Sequence, residues 1–343
     1  MTQATGRCRG DWSGLPTEEL LEVRLSDLGL RVEDAPTLVP RVARLHQELE
    51  AAGLSFRPAL WLSTTWFSPT GVPGFAIPFY LAHPRLRLLE RQRMLELEGG
   101  TVPACMRLLR HETGHALDHA YGLHRRPRWR RMFGSPGAPY RPSYVPRPSS
   151  RRSVIHLENW YAQSHPLEDF AETFAVWLKP RSGWRQQYRE WPVALRKLEY
   201  VDELMGEIAS KPARHHSRER LDSLPRLRMT LREYYSRKQA HYDREDRSVY
   251  DGDLKRLFGV GRSGRGAAGF LRSRGPELRR QVSRWTGQHP FVVEQVLKGM
   301  IARARELRLR VTHDERETGE GAAVLLTLHA FKLVRRRNPE YWR

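Results

Sequence analysis

The stretch "LLRHETGHALDHAYGL", residues 108–123, places two histidines four apart with a glutamate beside the first. On an α-helix, residues i and i+4 stand one above the other, so His111 and His115 share a face only if this segment is helical. Pro103 suits a first helical turn and Gly122 a C-terminal cap, so a helix is expected between them. Met106, Leu109, Ala116, Leu117 and Ala120 supply apolar residues on and around its face. Gly114 in mid-helix costs roughly 1 kcal/mol against alanine. A glycine there points to close backbone approach, or to room for something bound.

Two imidazoles side by side can take two corners of a tetrahedral zinc site. Glu112, next to the first, would lie near the open corner and could accept a proton from bound water. A third ligand is required. The metzincin pattern needs a histidine where this chain has Tyr121, and His119, one turn on, sits too regularly along the same helix to close a tetrahedron. The better source is "HPLEDFAETFAVWL" (165–178), an amphipathic helix opened by Pro166, whose Glu168 and Glu172 share a face. One carboxylate can bind zinc, and the other can accept the N–H of a ligating histidine and fix its tautomer.

Between the two helices the chain changes character. No acidic residue occurs between Asp118 and Glu158, while nine arginines fall from Arg125 to Arg152 among prolines and glycines. This reads as an irregular basic excursion that returns to structure near "VIHLENWYA". Upstream, "ALWLSTTWF" (59–67) and "GFAIPFYLAH" (74–83) read as strands around the turn chemistry of "SPTGVP". Pro78 cannot donate to a ladder, which argues for an edge strand.

"RHETGHALDHAYG" followed by "YAQSHPLEDFAETFAVWL" resembles the bacterial zinc-binding metallopeptidases of the gluzincin class of zincins. A fainter likeness runs to lethal-factor-type toxin peptidase domains. The resemblance spans about residues 55–205, with two motifs in the right order. It implies Zn2+ held by His111, His115 and Glu168, with Glu112 as general base and Glu172 as the partner of His111. It also implies that Tyr161 donates its hydroxyl to the developing oxyanion. A peptide or protein substrate would lie extended along an edge strand, for which "GFAIPFYLAH" is the candidate. Some members carry an N-terminal zinc ribbon; this chain, with two cysteines, has none.

Composition sets the remaining bounds. The 343 residues are 39% hydrophobic, with 10 Trp, 11 Phe and 12 Tyr, enough to pack a core. Cys8 and Cys105 form no CxxC pair, so neither a disulfide framework nor a thiolate zinc site is implied. No stretch approaches the roughly 20 apolar residues of a membrane span. No apolar secretory segment opens the sequence, so a cytoplasmic location is the expectation, with export by another route left open. The net charge of +20 favours encounter with nucleic acid or an acidic protein, although an arginine-rich proteome produces the same balance.

The expected fold is α+β and zincin-like: a small mixed sheet with an edge strand, the active-site helix and a mainly helical second lobe. The expected division is a helical segment (1–54), a metallopeptidase domain (55–244) and a basic region without assigned role (245–343). The expected function is a zinc metallopeptidase. The rival readings are a basic nucleic-acid-binding protein, or a zinc-stabilised interaction protein, with an inactive zincin domain. "GVGRSG" (259–264) follows no convincing strand and reads as a basic loop; His215 and His216 read as solvated. "RRRNPEYWR" at the C-terminus reads as a basic tail.

Overall fold

The computed structural model describes residues 12–140, 144, 147–209, 211–242, 247–260 and 264–335. The C-terminal part of the basic tail, and the middle of "GVGRSG", lie outside the described residues. In chain order the elements are α1 (Thr17–Leu21), α2 (Val39–Ala51), β1 (Ala59–Ser63), β2 (Gly74–Pro78), α3 (Pro84–Met94) and α4 (Val102–Tyr121). Next come α5 (Pro127–Phe133), α6 (Pro166–Leu178), α7 (Trp184–Gln187), α8 (Pro192–Ile208) and α9 (Leu231–Tyr242). The chain ends with α10 (Asp251–Leu257), β3 (Gly259–Val260), α11 (Ala267–Thr286), α12 (Pro290–Glu306), β4 (Leu309–Arg310) and α13 (Glu315–Arg335). The fold class is α+β and mainly helical, as expected of a zincin-like chain. Among the described residues no helix is long and apolar enough to cross a membrane.

Two compact units divide the described residues: one runs from Trp12 to Leu89 and from Leu97 to Arg232, the other takes Glu90–Glu96 and the described residues from Glu233 to Arg335. In the first unit, α4 and α6 lie against each other. Thr101 caps α4 by accepting the Ala104 N–H, and Gly122, at φ +62°, closes it in the left-handed conformation that glycine adopts without cost. A Cβ built on Gly114 would meet the Cα of Ala171 at 2.9 Å. The mid-helix glycine therefore marks close approach by α6.

Trp129, Phe133, Phe170 and Phe174 fill the space beside this contact, with Trp129 tilted against Phe170 and Phe133 meeting it edge to face. Each buried aromatic contributes on the order of 1.5–3 kcal/mol. Two buried ion pairs fix the neighbouring helices. Arg110 of α4 makes a two-pronged bond to Glu48 of α2 at 2.7 and 2.8 Å, and Lys197 of α8 pairs with Asp169 of α6. Burial raises Asp169 to about 6 despite the Lys197 charge.

β1 and β2 pair in parallel, Ala59 opposite Gly74 through Ser63 opposite Pro78. All five residues of β2 are buried. On the side away from β1, the Ala76 N–H donates to the Phe67 carbonyl at 2.8 Å, and the Ser68 hydroxyl donates to the Gly74 carbonyl. Two of the backbone groups expected to receive a peptide along this strand, at Gly74 and Ala76, are thus engaged by the chain's own 67–68 segment.

The second unit is a cluster of α10 to α13 around Leu254, Phe270, Val293, Val296 and Leu326, with β3 and β4 as a two-residue antiparallel pair. His329 of α13 donates to Asp253 of α10 at 2.8 Å in its interior. The apolar run "AAVLLTLHAFKLV" lies within α13.

Candidate metal centre

The close packing of α4 on α6 brings two histidines and two glutamates into one buried cluster. His111 is 3% exposed, Glu168 6% and Glu172 0%. The Nε2 atoms of His111 and His115 lie 3.2 Å apart, and each is 3.1 Å from Oε2 of Glu168. Three donor atoms therefore form a nearly equilateral triangle. A tetrahedral zinc with bonds of 2.0–2.1 Å has edges of about 3.3 Å, so the triangle has the size of one face of that polyhedron.

The second nitrogen of His111 and the second oxygen of Glu168 are committed in ways that keep the inward lone pairs in place. Nδ1 of His111 donates to Oε1 of Glu172 at 2.8 Å, and Oε2 of Glu172 accepts the Leu157 N–H at 2.8 Å. Its Nε2 is then the basic nitrogen. The second oxygen of Glu168, Oε1, accepts the Tyr140 hydroxyl at 2.9 Å. Tyr140 stacks on His165 at 3.8 Å and 12°. His165 is itself locked, with Nδ1 accepting the Leu167 N–H as the cap of α6 and Nε2 donating to the Ala138 carbonyl.

Electrostatics agree with a place for positive charge. Burial alone would lower His111, but hydrogen bonds and charges from Glu168 and Glu172 raise it well above 6.5. Burial would raise Glu168, yet the His115 charge and hydrogen bonds from both histidines take it well below 4.5. With two imidazoles and one carboxylate at tetrahedral spacing, the donor set fits zinc.

Glu112 is buried on the same helix, and burial raises its pKa from 4.5 against the pull of His111 and His115. The ring of Tyr161 lies 5.7 Å from that of His111, tilted by 50°. Burial and the Glu168 charge raise its hydroxyl well above 10. Trp160, just before it, holds φ +52°, an uncommon backbone conformation for a bulky side chain. Tyr144 is pushed up to about 12 by burial and by the charges of Glu172 and Glu168.

The structure brings together His111, His115, Glu168 and Glu172, with Glu112 and Tyr161 beside them. It adds two tyrosines of the basic excursion, Tyr140 and Tyr144, that sequence reasoning missed. Nothing in a segment without hydrophobic periodicity announces which side chain folds back. His119 stays outside the cluster. Burial lowers it to about 4, with Asp118 pulling the other way and His115, His124 and His215 adding to the fall. His216 is exposed, as expected, whereas His215 is half-buried and donates its backbone N–H to the Ala120 carbonyl.

No curated protein and no solved structure matches the chain. Residues 89–202, which hold α4, α6 and every residue of the cluster, match the model of a family described as Putative zinc-binding metallo-peptidase, and in this segment the chain is similar to that family.

Proposed function

We propose that the first unit is a zinc-dependent peptidase of gluzincin type, with His111, His115 and Glu168 as ligands and Glu112 as general base. The observation that carries this reading is the 3.1–3.2 Å triangle of Nε2, Nε2 and Oε2, with a buried glutamate next to it on the same helix. When bound, zinc supplies Lewis acidity, bringing the pKa of water toward about 7 and polarising a carbonyl.

The chain's own residues do the rest. Glu172 holds the His111 tautomer, and Tyr140 orients Glu168. Glu112, its pKa raised by burial, takes the proton of the attacking water and delivers it to the leaving amine. Tyr161 keeps its proton at neutral pH and can donate it as a hydrogen bond to the oxygen on which charge develops. A structural zinc site has no use for Glu112, so its burial beside the ligands favours turnover over a purely stabilising metal.

The test compares wild type with Glu112→Gln on a proteome-derived peptide library, with bound zinc measured in both. Zinc is retained at one equivalent in this site while cleavage falls roughly 10²–10⁴-fold. Cleavage at the wild-type rate by a zinc-loaded Glu112→Gln protein would overturn the reading. Zinc binding without cleavage by the wild type would favour the interaction-module rival.

A further inference from the structure

The C-terminal end of α4 carries a second group of metal-binding side chains that the peptidase reading leaves unused. Asp118, His119 and His124 each offer a ligand atom, all within 4.8 Å of one another. They converge because Gly122 reverses the chain in its left-handed turn, folding His124 back onto the last helical turn. There the His124 N–H donates to Oδ1 of Asp118 at 2.7 Å, and its Nδ1 lies 2.7 Å from Oδ2. With the Nδ1 proton given to Asp118, His124 presents Nε2 as a lone pair, the arrangement in which a carboxylate orients a metal-binding imidazole. Each Asp118 oxygen keeps a second lone pair.

A separate observation points to a missing ligand. His119 is only 7% exposed, and its Nδ1 is buried with no hydrogen-bond partner among the described residues. Buried polar atoms are satisfied in the great majority of cases, so an orphan imidazole nitrogen beside a second imidazole and a carboxylate asks for an explanation. A bound cation supplies it. The end of a helix favours positive charge because its last carbonyls point there. The surrounding backbone is pinned: Tyr121 donates to the Lys211 carbonyl at 3.0 Å, and the N–H groups of Arg214 and His215 reach the Ala120 carbonyl.

We propose that Asp118, His119 and His124 form a second site for a divalent, imidazole-preferring cation such as Zn2+, one helical turn beyond His115. Two imidazoles and a carboxylate select zinc-like ions over Mg2+ and Ca2+, which take oxygen ligands. The spread of 4.8 Å exceeds the roughly 3.3 Å edge of a zinc tetrahedron, so the side chains must close on the ion. This site is therefore weaker than the one between α4 and α6. A cation there clamps the end of α4 to the turn that follows it.

Equilibrium dialysis of the full chain against Zn2+, with protein-bound metal counted, tests this. Wild type takes up two equivalents in two affinity classes. His119→Ala and His124→Ala each lose the weaker class and keep the tighter one, whereas His111→Ala does the reverse. His119→Gln, which fills the same space without an imidazole, guards against a packing effect, and circular dichroism checks the fold of each variant. Zinc uptake unchanged in His119→Gln and His124→Ala would overturn the proposal. A single equivalent lost in His111→Ala alone would overturn it too. A single equivalent lost only in the His119 and His124 variants would support it while removing the peptidase site.

Discussion

Replacing Glu172 by glutamine tests the geometry of the cluster without touching a proposed ligand. Glu172 is fully buried, and its two oxygens face two donors, the His111 Nδ1–H and the Leu157 N–H, each at 2.8 Å. Glutamine has one acceptor oxygen. Whichever way the amide turns, its NH2 faces one of those donors. A hydrogen bond to a charged acceptor contributes about 1.5–3 kcal/mol, and an orphaned buried donor costs about 1–3 kcal/mol more. Removing a buried charge relieves some desolvation and offsets part of that loss. A net destabilisation of about 1–3 kcal/mol of the metal-free protein is expected, read as a lower urea midpoint. If the amide turns its nitrogen to His111, the imidazole loses its orientation and zinc affinity falls by about 10–100-fold, measured by competition with a chromophoric chelator. A Glu172→Gln protein with wild-type zinc affinity and an unchanged urea midpoint would refute the argument that this carboxylate holds His111 in place.

Three further outcomes follow from the same contacts. Gly114→Ala gains roughly 1 kcal/mol of helix propensity but sets a Cβ 2.9 Å from the Ala171 backbone, and overpacking of about 1–3 kcal/mol wins. Urea unfolding should shift to lower denaturant, and zinc affinity should drop although no ligand has changed. Tyr140→Phe keeps the stacking on His165 and removes the bond to Glu168, so chelator competition should register weaker zinc with a stability loss near about 1 kcal/mol. In the second unit, burial lowers His329 below 6.5, helped by Lys332 and opposed by Asp253. A histidine depressed in the folded state contributes stability above pH 6.5 that is lost as pH falls through its folded value. Asp253 is depressed as well: burial would raise it, but hydrogen bonds from Arg256 and His329 outweigh that, so its contribution is also lost on acidification. Thermal unfolding at pH 7.5 and pH 5 should show a smaller drop in His329→Gln than in wild type; equal drops would exclude His329 as the source.

The two helices of the site were legible because their signals are local. Pro103 and Gly122 bound one, Pro166 opens the other, and the four-residue spacing of His111/His115 and of Glu168/Glu172 fixes which side chains share a face. Gly114 was legible as an oddity, and its meaning needed the partner helix. What could not be read is tertiary. The turn chemistry of "SPTGVP" gives no sign that β1 and β2 pair in parallel, or that Phe67 and Ser68 return along the far side of β2. Tyr140 reaches Glu168 from 28 positions away in the sequence, where no shared helical or strand period relates the two. Helical spacing did set His119 apart from the first cluster, but Asp118 and His124 pair only because the left-handed Gly122 turns the chain back, and spacing gave no sign of that.

The arginine-rich excursion then loses its status as a separate feature. It is tied to the site's own elements at three points, one through a side chain and two through its backbone. Tyr140 donates to Glu168, and Arg147 and Gln163 exchange backbone and side-chain hydrogen bonds at 2.9 and 3.1 Å. The Arg152 carbonyl accepts from Lys197, which also pairs with Asp169, the residue beside Glu168. The acids Glu112, Glu168, Asp169 and Glu172 are buried, whereas Arg147, Arg151 and Arg152 point to solvent. Two more arginines, Arg126 and Arg128, are matched by Glu207 and Glu203, exposed pairs that contribute little. A buried acidic centre and an outward basic wall thus belong to one continuous piece of chain. The same segment that orients a proposed ligand through Tyr140 also carries exposed arginines, so a change to its path alters the cluster and the surface charge together.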